Sequence, residues 1–256
     1  MKALALSALL ATSLLLFTSC KKDNSVDTGT IPSTLNDSLV AYLPFNGNLL
    51  DSTTFKNNGT TKGGVTFTSD RFGTPGKALT FDGTGYVVIA PSKSMDIKGD
   101  FSFSVWIKPD TITTDWHGSF LLQRCGDNPV AHNPFTVSYN NWLLHIDMGL
   151  FSGSGDISEY QGLSMPDEIR FKGVWTHVVA TCNKTTKTMK LYSNGLLVAS
   201  NVLNNLDINY ETADFLTYLG CTHETHSMYK GVMDEPRLYN RELSTEEALQ
   251  LTLLEN

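Results

Sequence analysis

The run Phe101-Ser102-Phe103-Ser104-Val105-Trp106-Ile107-Lys108 limits what this chain can fold into more than any other stretch. In an extended chain, successive side chains point to opposite faces. Phe101, Phe103, Val105 and Ile107 therefore share one face, and Ser102, Ser104, Trp106 and Lys108 share the other. An antiparallel sheet with one face on a core and the other partly exposed gives that alternation. Trp175–Cys182 alternates in the same way, and further strands are expected over Leu39–Phe45, Phe120–Gln123, Phe215–Cys221 and Lys230–Tyr239. Ala78–Phe81 and Tyr86–Ile89 flank Asp82-Gly83-Thr84-Gly85, a hairpin signal. Lys187–Ser193 and Leu196–Ser200 flank Asn194-Gly195, which suits a type I′ turn. Phe135–Tyr139 is expected to pair with Trp142–Ile146, while Asn46–Thr60 and Phe151–Phe171 read as loops. Ser244-Thr245-Glu246-Glu247 is a capping box that opens a short C-terminal helix. About a dozen strands without strand–helix alternation leave an all-β sandwich or barrel as one domain, and the polar alternate faces favour the sandwich.

Residues 1–20 read as a targeting segment, with Lys2 before an apolar stretch from Ala3 to Phe17. Leu16-Phe17-Thr18-Ser19-Cys20 resembles a bacterial lipobox, which makes Cys20 the expected lipidation site; a plain secretory signal is the alternative. Residues 21–36 are rich in Ser, Thr, Asp and Asn and read as a flexible tether. The expected location is the bacterial outer membrane, on the cell surface or the periplasmic side, with the membrane reached through the lipid anchor. The net charge of -7 argues against nucleic acid as a partner, because phosphate binding needs a basic surface. Cys125, Cys182 and Cys221 lie in an oxidising compartment on this reading, as buried thiols or as one disulfide with one thiol left over.

Several motifs fall in a fixed order: Leu49-Leu50-Asp51-Ser52 with Asn57-Asn58-Gly59-Thr60, then Leu79-Thr80-Phe81-Asp82-Gly83, then Phe101–Lys108. Trp175-Thr176-His177-Val178-Val179-Ala180, Met189–Gly195 and Gly231-Val232-Met233-Asp234-Glu235 complete the series. Together they resemble a laminin-G-like domain of the concanavalin A-like lectin/glucanase superfamily, over residues 37–256. The resemblance implies an antiparallel jelly roll of two sheets, one of them concave, often with carbohydrate as ligand and sometimes with a structural calcium.

On that resemblance Asp51, Asn57, Gly59 and Asp234 are the expected calcium residues, since calcium takes oxygen ligands from carboxylates and carbonyls. The alternative is that Asp51 caps a turn and Asp234 pairs with Arg237 or Arg241. Glycan contacts are expected from Trp116, His117, Arg124, Asp127, Asn128, His132, Tyr139 and Trp142, aromatic and planar polar residues between the strands. Glucanases of this superfamily carry Glu-x-Asp-x-x-Glu or a close variant on one strand, and this arrangement is missing here. His177 is read as a hydrogen-bonded sheet residue rather than a base. The expected function is therefore non-catalytic binding of an oligo- or polysaccharide at the cell envelope. A protein-binding or adhesive module is the alternative, ahead of a divergent glycoside hydrolase or lyase.

Overall fold

The computed structural model describes residues 33–110, 119–125, 135–140, 143, 145–151, 160–204, 214–222 and 227–255. They form two antiparallel sheets and one short C-terminal helix, a jelly-roll sandwich. The first sheet contains β1 (Leu39–Tyr42), β3 (Val65–Thr68), β4 (Ala78–Asp82), β6 (Phe101–Pro109), β11 (Thr176–Asn183), β12 (Thr188–Ser193), β13 (Leu196–Val202) and β15 (Lys230–Tyr239). Its order is β13-β12-β11-β6-β15-β4-β3, with β1 also paired to β15. The second sheet contains β2 (Gly59–Lys62), β5 (Tyr86–Ile89), β7 (Ser119–Cys125), β8 (Phe135–Asn140), β9 (His145–Phe151), β10 (Tyr160–Ser164) and β14 (Leu216–Leu219). Its order is β10-β9-β8-β7-β14-β5-β2.

The core lies between the sheets. Phe101, Phe103, Val105 and Ile107 of β6 meet Val137, Ile146 and Met148 of the second sheet there, and Phe101 stacks on Phe135 at 3.9 Å between ring centres. The other face of β6 was expected to be partly exposed. Instead Ser102, Ser104 and Trp106 are buried too. The cause is a third layer: the helix α1 (Thr245–Leu253) and the turn Ser33–Asn36 lie over this face, where Leu35, Val179, Tyr192, Tyr239, Ala248 and Leu251 form a second apolar cluster. The capping box starts α1 as expected, with Ser244 Oγ accepting from Glu247 N. The Asn194-Gly195 hairpin also forms, with Gly195 at φ +78. Cys182 is a buried free thiol and Cys221 is buried, while the Cys125 side chain lies outside the described residues.

Two expectations fail for a physical reason. Ala78–Phe81 and Tyr86–Ile89 do not form a hairpin: β4 pairs with β3 and β5 pairs with β2, in different sheets. Residues 59–68 and 78–89 form one ribbon that folds across the sandwich edge at Gly63-Gly64 and Gly83–Gly85. The corner needs glycine. A Cβ on Gly85 would collide with the backbone of Gly64, and a Cβ on Gly64 would collide with the Asp82 carboxylate. Gly85→Ala is expected to cost about 1–3 kcal/mol by overpacking, measured as a lower urea midpoint. Gly99→Ala, facing open space, is the control that should leave the midpoint in place. The second miss is β10, a strand inside the stretch read as a loop; it pairs with β9 from Tyr160↔Phe151 to Ser164↔Asp147.

Candidate ligand face and the fate of the acidic pair

The carboxylates expected to share a calcium ion are each engaged elsewhere. Asp51 Oδ1 accepts from Tyr42 N and Thr53 N, both at 2.9 Å. Asp51 Oδ2 accepts from Thr53 Oγ1 at 2.6 Å and Asn57 N at 2.8 Å. Four donors thus surround a carboxylate that has about four lone-pair positions. Asn57 is used in the same way: its Nδ2 donates to Val40 O at 2.7 Å, and its Oδ1 accepts from Ser92 Oγ at 2.6 Å. Gly59 N donates to Leu49 O, and Gly59 opens β2. The group stitches the turn after β1 onto that strand's outer edge, where no other strand among the described residues pairs. Donors occupy the side-chain oxygens of Asp51 and Asn57, so these two residues fit a calcium cage poorly. Chelator followed by added calcium is therefore expected to leave the thermal midpoint unchanged.

Asp234 sits on β15, opposite Trp106, where a β-bulge interrupts the ladder between Asp234 and Arg237. Glu235 takes up the extra length at φ +56. The partner of Asp234 is Arg71, at 3.4 Å, rather than Arg237 or Arg241. Arg71 lies 4.7 Å from the Trp106 ring centre and also donates to Leu254 O at 2.5 Å, so it ties the chain end to the sheet. Glu235 pairs with Arg237 at 2.9 Å and accepts from Tyr42 Oη at 3.0 Å. Burial, then the neighbouring Glu235 charge, raise the Asp234 carboxyl to about 7 against the pull of Arg71. His177 is a structural residue, as expected: Nε2 lies 2.8 Å from Ser104 Oγ and Nδ1 lies 2.7 Å from Thr252 Oγ1. Burial, with Arg237 and Arg71 nearby, lowers it to about 3. The eight-stranded sheet therefore carries a buried polar network beneath α1, with its charged groups locked in pairs.

The outer face of the second sheet differs. Its register aligns Thr60, Val88, Tyr218, Gln123, Thr136, Gly149 and Gly162 across the seven strands. A second row joins Ser138 to Asp147 and Ser164. Tyr86 lies diagonal to Tyr218, with ring centres 6.0 Å apart and planes tilted by 48°. Both tyrosines are half-buried. Asp147 Oδ2 accepts from Asn140 Nδ2 at 3.0 Å, and its buried Oδ1 lies 3.2 Å from His145 Nε2, with the side chain 25% exposed. Glycine opposite glycine at 149 and 162 leaves no side chain there, which lowers the surface beside Asp147. Gln123 and Thr136 in the middle of the first row are buried, so the groups within reach of a ligand are the Tyr86 and Tyr218 rings at one end and Ser138 and Asp147 on the second row, an aromatic and polar set of the kind that orients a sugar.

Six expected glycan residues, Trp116, His117, Asp127, Asn128, His132 and Trp142, lie outside the described residues. The remaining two are corrected. Arg124 is fully buried and its Nε donates to Thr217 Oγ1 at 3.1 Å. Tyr139 is in the core, and its Oη donates to Phe171 O at 2.7 Å. Both belong to the alternate positions that face the interior. Tyr86 and Tyr218 were missed, although Val87, Ile89 and Leu219 alternate with the outward positions in the sequence.

Solved structures share this architecture. Domain 4 of AbnA, a GH43 extracellular arabinanase from Geobacillus stearothermophilus, in complex with arabinotriose, matches at TM-score 0.61 and 22% identity, over 84% of this chain and 98% of that one. Botulinum neurotoxin type C, described as depending on two ganglioside molecules to get into cells, matches at TM-score 0.64 and 14% identity, over 87% and 53%. The binding domain of botulinum neurotoxin DC in complex with rat synaptotagmin II matches at TM-score 0.63 and 14% identity, over 85% and 52%. This chain spans about half the length of each toxin chain. No curated protein matches it in sequence. The family model for the concanavalin A-like lectin/glucanases superfamily matches residues 81–248, and the chain belongs to that superfamily.

Proposed function

We propose that this chain is a non-catalytic carbohydrate-binding module that captures an oligo- or polysaccharide on the outer face of its seven-stranded sheet. The observation that carries the reading is a set of partly exposed residues on two neighbouring rows, Tyr218 with Tyr86 beside it on one and Ser138 with Asp147 on the next. The rings offer faces for stacking, and Asp147 Oδ2, oriented by Asn140, offers an acceptor for a sugar hydroxyl. A relative of the same fold holding arabinotriose supports the same ligand class. Tyr218→Ala is expected to weaken glycan binding by about tenfold while the melting temperature stays within a few degrees. The test is a glycan array of plant, mucin and host sugars probed with the full chain and with this variant. Silence of the wild-type chain on every sugar would leave protein adhesion as the better reading. The observation favouring that second reading is the edge strand β13, where Leu196, Leu197 and Val202 are exposed.

We propose further that Cys20 is acylated and holds the module at the outer membrane. Cys20→Ala is expected to move the protein from the membrane fraction to the soluble fraction, read by immunoblot; unchanged fractionation would sink this anchor.

A further inference from the structure

A cleft of about 500 Å³ opens on the other side of the molecule, between β1 and the turn that follows it. Phe55 and Tyr42 form its aromatic walls, and Asn36, Ser38, Ser52 and Thr53 line the rest. Among the described residues none of its lining side chains carries a formal charge. Phe55 is 53% exposed, although it sits on a turn with little freedom to move. Asp51 fixes that turn through its four accepted hydrogen bonds, and Phe55 N donates to Thr53 Oγ1 at 3.2 Å. Lys56 at φ +58 reverses the chain just beyond it. Tyr42 is equally fixed: Arg237 stacks on its ring at 3.9 Å, and its Oη donates to Glu235. A Tyr42 ring held in place, and a Phe55 backbone fixed, before any ligand arrives lower the ordering cost of binding. Hydroxyl and amide groups at the rim supply donors and acceptors, and the uncharged wall gives no advantage to an ionic ligand.

We infer that this cleft is a second saccharide site, for a neutral sugar unit stacked on Phe55 and hydrogen-bonded by the rim of Ser38 and Ser52. The Asp51 hub then serves as the support that shapes this site. The site is independent of the seven-stranded sheet face, and the two are separable by variants. The full chain is titrated by calorimetry with arabinotriose, xylotriose and chitotriose, using wild type, Tyr218→Ala, Phe55→Ala and the double variant. With at least one of these sugars, the Tyr218→Ala chain is expected to retain binding. Adding Phe55→Ala should then weaken that residual binding by about tenfold, with an unchanged melting temperature. Absence of residual binding in Tyr218→Ala for all three sugars, or residual binding that Phe55→Ala does not alter, overturns the cleft. Binding that ignores Tyr218→Ala but falls with Phe55→Ala instead supports the cleft while overturning the sheet face.

Discussion

Arg237→Met is expected to destabilise the domain by about 3–5 kcal/mol, because it leaves a buried carboxylate without its counter-charge. Arg237 is 3% exposed and Glu235 is 2% exposed, so solvent screens this pair little. The guanidinium meets Glu235 at 2.9 Å and stacks on Tyr42 at 3.9 Å. Once it is gone, Glu235 keeps only the Tyr42 hydroxyl and stands beside Asp234, which already ionises against burial. The pair itself is no large net gain, since desolvating both charges offsets most of their attraction. The double variant Glu235→Gln with Arg237→Met, which removes both charges, should therefore recover a large part of the loss. Urea unfolding reads both. A single variant within about 1 kcal/mol of wild type would contradict the burial of this pair.

The second large effect is a pH dependence with two opposing parts. His177 has its folded value lowered from 6.5 to about 3, mainly by burial. A lowered value means that its contribution is fully present above 6.5 and is lost as the pH falls toward 3. Between 6.5 and about 4 that loss amounts to about 3 kcal/mol, at about 1.4 kcal/mol per unit. Asp234 has its folded value raised from 3.8 to about 7, so it acts with the opposite sign. Its burial penalty is full above about 7 and is relieved as the pH falls toward 3.8. In the wild type the two slopes largely cancel between 3.8 and 6.5. His177→Gln should expose the Asp234 slope, with stability rising on acidification relative to wild type. Asp234→Asn should expose the His177 slope, with a steeper acid loss. Urea midpoints across that range check both signs. Identical slopes in all three chains would contradict the two buried groups.

What the sequence could reveal followed the range of the interaction. β6, the Asn194-Gly195 hairpin and the α1 capping box are local patterns, and all three form as read. The failure at Asp82–Gly85 shows the limit of local pattern. A turn signal marks a reversal but does not say whether the flanking strands pair, and here the glycines turn a corner between sheets. β2, Gly-Thr-Thr-Lys, has no apolar residue to alternate, and β3, Val-Thr-Phe-Thr, alternates over only four residues, too short to stand out. The partner of Asp234 was illegible for another reason. Arg71 is separated from it by 163 residues and comes from a loop, so only the assembled sheet and the returning chain end bring them together. Arg124 looked like a ligand residue because arginine is rarely buried, yet its place opposite Thr217 turns it inward. On the outer face, alternation along Tyr86–Ile89 already separated Tyr86 and Val88 from Val87 and Ile89. The neighbour that makes Tyr86 part of a site, Tyr218, required the strand order.

The two outer faces have divided roles on this reading: α1 and its ionic network cover one, and the other is the proposed sugar face. Amide chemical-shift mapping of the full chain tests this division most directly, with the sugar that binds most tightly on the array as titrant. Shifts are expected along Val88, Tyr218, Gln123, Thr136, Ser138 and Asp147, and none at Ser104, His177, Tyr239 or Ala248. Shifts confined to that second group, or none anywhere in the seven-stranded sheet, would contradict it.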